Sequence, residues 1–78
     1  MTIHIKYFAS LRETVGKPEE RLEARNDVSS VIEVWQAANP GLPLPENTLA
    51  AVNQVHSPLD AAVQPGDEVA FFPPVTGG

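Results

Sequence analysis

A chain of 78 residues has room for one domain with one small core. At this size only about 60% of the unfolded surface is buried on folding, so stability is marginal. Cysteine is absent, which excludes disulfides, thiolate metal sites, a cysteine nucleophile and a persulfide carried on the chain. Ten acidic against five basic residues give a net charge of −5, whereas phosphate binding needs clustered Lys and Arg, so nucleic acid is not expected as a partner. The two histidines, His4 and His56, cannot complete a zinc site without carboxylates, and no metal is expected. No apolar run approaches membrane-spanning length, and the chain opens on a strand-like pattern rather than a signal peptide. The expectation is a cytoplasmic protein without a membrane partner.

In chain order, Ile3, Ile5 and Tyr7 alternate with Thr2, His4 and Lys6, the period of two that marks a strand with one buried face. Ser10-Leu11-Arg12-Glu13 fits a capping box for a short helical turn, stopped by Gly16-Lys17-Pro18. Glu19 to Ala24 reads as a second strand, hairpinned to the first, with Leu22 and Ala24 inward. The main helix is predicted to start at Asp27 as N-cap, with Val28, Val31, Trp35 and Ala38 in one apolar stripe and Glu33 and Gln36 directed elsewhere. Asn39-Pro40-Gly41 ends it, and Leu42 to Asn47 is a proline-punctuated loop. Thr48 to Asn53 reads as a third strand. Leu59 and Val63 anchor a turn-rich stretch, and Gln64-Pro65-Gly66-Asp67 is a β-turn. Glu68 to Phe72 is the last strand. The order ββαββ makes an α+β roll with the Trp35 helix on one face of the sheet. The first and last strands are the most apolar and suit central positions.

Pro73 and Pro74 follow the last strand directly. Neither has an N–H to donate, so the ladder ends there and the backbone stiffens into an extended form. The fold is therefore expected over residues 1–72, with 73–78 as an extended flexible tail reaching roughly 20 Å. A final Gly-Gly arises by chance in only about one chain in two hundred at ordinary glycine usage, so the pair asks for a use. Paired glycines let a backbone pass through a slot too narrow for any Cβ and leave the last carboxylate open to attack. A carboxylate is inert as an acyl group at neutral pH, so a partner must activate it, most simply by ATP-dependent adenylation. The acyl-adenylate then takes sulfide equivalents to give a thiocarboxylate, or an amine to give an amide. With no cysteine, any sulfur is carried on Gly78 itself. On this reading the domain is a carried substrate, not a catalyst on its own, and binds no cofactor; ATP belongs to the partner. Ser10, Ser29, Ser30 and Ser57 read as cap and turn residues rather than nucleophiles, and no phosphate-cradling glycine loop is present.

Leu49-Ala50-Ala51-Val52-Asn53-Gln54 and the run from Gly66 through Phe71-Phe72-Pro73-Pro74-Val75-Thr76-Gly77-Gly78 resemble the small subunits of molybdopterin synthases. Tyr7-Phe8-Ala9 with Leu11-Arg12-Glu13 is similar to that family's first strand and turn; His56 and Pro58 depart from its more apolar pattern. The resemblance implies a ubiquitin-like β-grasp fold with a mixed sheet. It implies that an E1-like enzyme adenylates Gly78 and that a sulfurtransferase system converts it to a thiocarboxylate. The tail, Pro73, Pro74, Val75, Thr76 and Gly77, would then thread into the large synthase subunit. Sulfur passes there to cyclic pyranopterin monophosphate, building the dithiolene of molybdenum cofactor, in a heterotetramer with two small subunits.

Parity adds one expectation. Phe8 opposes Ile3, Ile5 and Tyr7, and Phe72 opposes Val69 and Phe71, so if the outer strands of the sequence are neighbours the two phenylalanines form an apolar docking patch beside the tail's root. Three alternatives stay open: a sulfur carrier for thiamine or tRNA thiolation, a ubiquitin-like modifier joined to lysines, and an adaptor presenting Pro73-Pro74.

Overall fold

Alternation decides the centre of the sheet. β1 (Thr2–Tyr7) buries Ile3, Ile5 and Tyr7 completely, and β5 (Glu68–Phe72) does the same with Val69 and Phe71. Burying a side chain of this kind stabilises by about 1.5–3 kcal/mol, enough to fix the register, because a slip of one residue would turn every one of them to water. The computed structural model describes residues 2–23 and 28–74.

The remaining elements are α1 (Ser10–Val15), β2 (Glu19–Glu23), α2 (Val31–Ala38), β3 (Leu49–Val52) and β4 (Val55–Ser57). They make one mixed sheet in the order β2-β1-β5-β3-β4. β1 runs antiparallel to β2 and parallel to β5; β3 is antiparallel to both β5 and β4. The expected central positions of the first and last strands are thus observed. α2 covers one face, where Val31, Val34 and Trp35 meet Ile3, Ile5, Tyr7, Val69 and Phe71 in the core. Trp35 is edge-on to Tyr7 at 6.0 Å and to Phe71 at 5.2 Å between centroids, and its Nε1–H donates to Leu42 O at 2.8 Å. Leu59 packs against this cluster and Val63 is part of it, as anticipated.

Three local expectations are corrected. The main helix does not start from Asp27, which lies outside the described residues with Ala24; its N-cap is Ser30, whose hydroxyl accepts from Glu33 N–H. The Glu33 carboxylate accepts in turn from Ser29 N–H and from both hydroxyls, so the capping box sits at Ser30-x-x-Glu33 and Glu33 points back at the cap. Those three donors also hold its pKa below the ordinary value.

At the other predicted box, Ser10 is already helical. Ala9 takes φ 51° and ψ −127°, and Leu11 N–H donates to Phe8 O at 3.1 Å. That is a type II′ turn with alanine where glycine is usual. Third, a fifth strand joins the expected four: Asn53 and Gln54, at φ 51° and 70°, close a two-residue hairpin of the primed kind and bring β4 onto β3. Among the described residues no helix is long and apolar enough to cross a membrane.

Candidate functional site

The parallel pairing of β1 with β5 sets Tyr7 beside Phe71. One residue further, Phe8 N–H donates to Phe71 O at 3.0 Å, so Phe8 and Phe72 leave the sheet together on the face away from α2. Phe8 is 42% exposed and Phe72 half-buried. The two residues singled out by parity therefore share one face, at the end of the strand from which the tail departs. The recorded ring neighbour of Phe72 is His56 of β4, with centroids 6.2 Å apart and planes tilted by 49°. Parity could not supply that contact, since it depends on the unforeseen fifth strand.

β5 ends at Phe72, as two consecutive residues without an N–H require. Pro73 is half-buried and Pro74 exposed. The remaining tail candidates, Val75, Thr76, Gly77 and the Gly78 carboxylate, lie outside the described residues.

Just below Phe8, the end of β1 is held on the opposite face. Tyr7 Oη donates to Glu20 Oε2 at 2.7 Å and accepts from Asn39 Nδ2 at 3.1 Å, while Lys17 Nζ reaches Glu20 Oε1 at 3.3 Å. This joins β1, β2, the end of α2 and the α1–β2 loop at one point. Burial, and then the hydrogen bond to the Glu20 carboxylate, push the phenol pKa well up, with Asn39 opposing. A raised folded value means that the protonated phenol's contribution is fully present below the unfolded pKa of about 10 and is lost as pH rises above it. The chain has one tyrosine, so 295-nm absorbance reads it cleanly. We expect phenolate to appear only together with unfolding; reversible ionisation near pH ~10 with the Trp35 fluorescence of the folded protein intact would contradict this.

The one long helix offers no free anion-binding end. Of the four amides at the N-terminus of α2, Val31 donates to Ala61 O, Ile32 to Leu59 O, Glu33 to Ser30 Oγ and Val34 to Ser30 O. The strand-like stretch around Ala62, bridged to Ser30, supplies acceptors that a phosphate would otherwise provide. Ser29 and Ser30 hydroxyls donate to Glu33 and Ser57 Oγ to Val55 O, which occupies them as cap and turn groups. Among the described residues no group of three or more His, Cys, Asp or Glu could hold a metal ion. What this arrangement offers chemically is a sheet face, apolar along β5 and β3 and polar along β1 and β2, that ends in a proline-stiffened exit.

The ThiS family matches residues 5–78. A molybdopterin synthase sulfur carrier subunit of Haemophilus influenzae is 37% identical over 84 aligned residues, covering 97% of this chain and 99% of that one. The Escherichia coli protein of the same description is 40% identical over 80, again covering 97% and 99%. Among solved structures, small archaeal modifier protein 1 of Haloferax volcanii superposes with a TM-score of 0.75 at 28% identity, over the whole of both chains. Its likeness places the five-stranded sheet and helix among the ubiquitin-like β-grasp folds. With a family match over nearly its whole length and relatives above 30% identity, the chain belongs to the ThiS family, on the side of the molybdopterin synthase sulfur carrier subunits.

Proposed function

We propose that the chain is the sulfur carrier of a molybdopterin synthase, with residues 73–78 as its working tail and the Gly78 carboxylate as the reacting group. The observation that carries this is the whole-length similarity to sulfur carrier subunits in a chain with no cysteine and a Gly-Gly end. An E1-like partner supplies ATP; the carboxylate oxygen attacks the α-phosphorus, pyrophosphate leaves, and an acyl-adenylate forms. A sulfide equivalent from a sulfurtransferase then attacks the carbonyl carbon and AMP departs, leaving a thiocarboxylate. In the large subunit of a heterotetramer, that sulfur passes to cyclic pyranopterin monophosphate to build the dithiolene, and water restores the carboxylate. The chain's own part is to present the tail: Pro73 and Pro74 stiffen its root, Val75, Thr76 and Gly77 thread into the large subunit, and the Gly77-Gly78 pair passes where no Cβ would fit. Phe8 and Phe72 dock the partner beside that root, since exposed apolar surface at a defined place is usually an interaction site. The proposed setting is the cytoplasm, where ATP and the partner enzymes meet.

Intact mass spectrometry tests the reading. After incubation with ATP, the E1-like enzyme and a sulfur source, the mass should rise by the exchange of one oxygen for sulfur, localised to Gly78. No rise under conditions that charge the Escherichia coli relative would sink it. A second reading, a protein modifier, is favoured by the likeness to small archaeal modifier protein 1. It predicts instead isopeptide-linked ladders that survive denaturation.

A further inference from the structure

The face of the sheet that α2 leaves uncovered is divided lengthwise. On the β1–β2 side the outward residues are polar: Thr2, His4 and Lys6 stand opposite Glu23, Arg21 and Glu19, and Lys6 pairs with Glu68 of β5 at 3.4 Å. On the other side they are Ala70 and Phe72 of β5, Leu49 and Ala51 of β3, and His56 of β4, which pairs directly with Ala51. Ala51 and Ala70 are only 9% and 8% exposed although no helix lies over them, so larger neighbours such as Phe72 and His56 shield them. Glu68 at the start of β5 is tied to Lys6, so among the described residues His56 is the ionisable side chain set among the apolar residues of this half-face, its ring against Phe72 and itself exposed.

Among the described residues nothing packed around His56 offers it a counter-charge. β3 contributes only Leu49, Ala50, Ala51 and Val52. On β5 the sole carboxylate, Glu68, is committed to Lys6. At the Thr48 end of the β3–β4 hairpin an open cleft of roughly 290 Å³ is walled by His56 with Leu49, Pro58 and Leu59, and again holds no other titratable group. Among the described residues no carboxylate pairs with the imidazole. A neutral imidazole is an apolar ring with a polar tip and sits well in such a surface; an imidazolium placed under a partner there would lose its water without gaining a partner.

We propose that His56 is a specificity-determining residue of the docking face, fitting a partner whose matching patch is apolar and carries no carboxylate, so that the complex forms from the neutral imidazole. The inference rests on the docking reading of Phe8 and Phe72 given above. Lowering the pH from ~7.5 to ~5.5 charges imidazole side chains and so withdraws the competent neutral form. The apparent affinity falls with it, by about tenfold. A partner carboxylate facing His56 would give the opposite trend.

The test is the affinity of the full chain for the molybdopterin synthase large subunit of the same organism, by titration calorimetry across that pH range. Wild type, His56→Leu, His4→Gln and Phe72→Ala are compared, with melting curves to confirm that each variant is folded. Titration of the partner itself is common to all four and cancels in the comparison. The expected result is an acid-side weakening of about tenfold in wild type and in His4→Gln, absent from His56→Leu. Parallel profiles for wild type and His56→Leu, or tighter binding at the acid end that His56→Leu removes, would overturn the proposal. Phe72→Ala distinguishes the two layers: it should weaken binding at every pH. If it does not, or if wild type fails to bind at all, the docking reading itself falls; if it does while the profiles stay parallel, only the role of His56 is lost.

Discussion

Removing Gly78 is expected to abolish thiocarboxylate formation and sulfur transfer while leaving the melting temperature unchanged. The deletion moves the reacting carboxylate back by one residue, about 3.3–3.6 Å along an extended chain. Misplacement by about 1 Å already costs on the order of a hundredfold when a reaction depends on held geometry, so the truncated tail should not charge measurably. Among the described residues every member of the core lies between Ile3 and Phe71, and the last strand ends at Phe72, so stability is expected not to depend on Gly78. Two measurements on one sample check this, a thermal melt followed by circular dichroism and intact mass after incubation with the adenylating enzyme, ATP and sulfur source. Charging of the truncated chain at a rate near wild type would refute the assignment of Gly78. A lowered melting temperature would refute the separation of tail from fold.

The parts of the molecule that could be read in advance are those governed by one local rule. β1 and β5 announce themselves because inward and outward residues alternate without a break, and Pro73-Pro74 fixes where β5 must stop. From those two strands alone follows the shared face of Phe8 and Phe72. What escaped was decided by contacts distant in sequence. Asp27 and Ser30 are both acceptable N-caps; Ser30 prevails where Ala61 O and Leu59 O, some thirty residues away, receive the first two amides of α2. The same shift brings Val34, left out of the expected stripe, fully into the core. Ser10-Leu11-Arg12-Glu13 matches a capping box, yet the turn at Ala9 starts the helix one residue early, a conformation that alanine's propensities argue against. β4 has three residues, two of them exposed, so it shows no alternation, and its turn reads Asn53-Gln54 rather than the familiar Asn-Gly. The turn requires a positive φ at Gln54, which a glutamine does not advertise. β4 is also what sets His56 beside Phe72, a contact that alternation in β1 and β5 does not announce.

Trp35→Ala should be the most damaging single substitution in the core, lowering stability by about 3–5 kcal/mol. Small domains have 5–15 kcal/mol in total, with chains of this length toward the lower end, so much of the variant would be unfolded at room temperature. The argument is geometric. Trp35 is 1% exposed and its ring fills the space between Tyr7 and Phe71, the two inward-facing aromatic residues of the central strand pair. Tyr7 and Phe71 are themselves near-parallel at 6.1 Å, so the cavity would open at the centre of the sheet rather than at its margin. The indole N–H also holds Leu42 O, pinning the proline-rich connection between α2 and β3, from which Leu42 and Leu44 pack on the core. Trp35→Phe separates the two effects: it keeps an aromatic ring but leaves the Leu42 carbonyl without its donor, a loss of about 1–3 kcal/mol. Urea unfolding followed by far-UV circular dichroism measures both, since fluorescence disappears with the only tryptophan. A loss below about 1 kcal/mol for the alanine variant would mean that the core collapses into the space and that the aromatic trio is not what holds α2 to the sheet. The expected large loss would carry to function through Phe71. This residue lies between the core and the exposed Phe8–Phe72 edge, and its carbonyl receives Phe8 N–H, so loosening it disorders the surface on which the partner is proposed to dock.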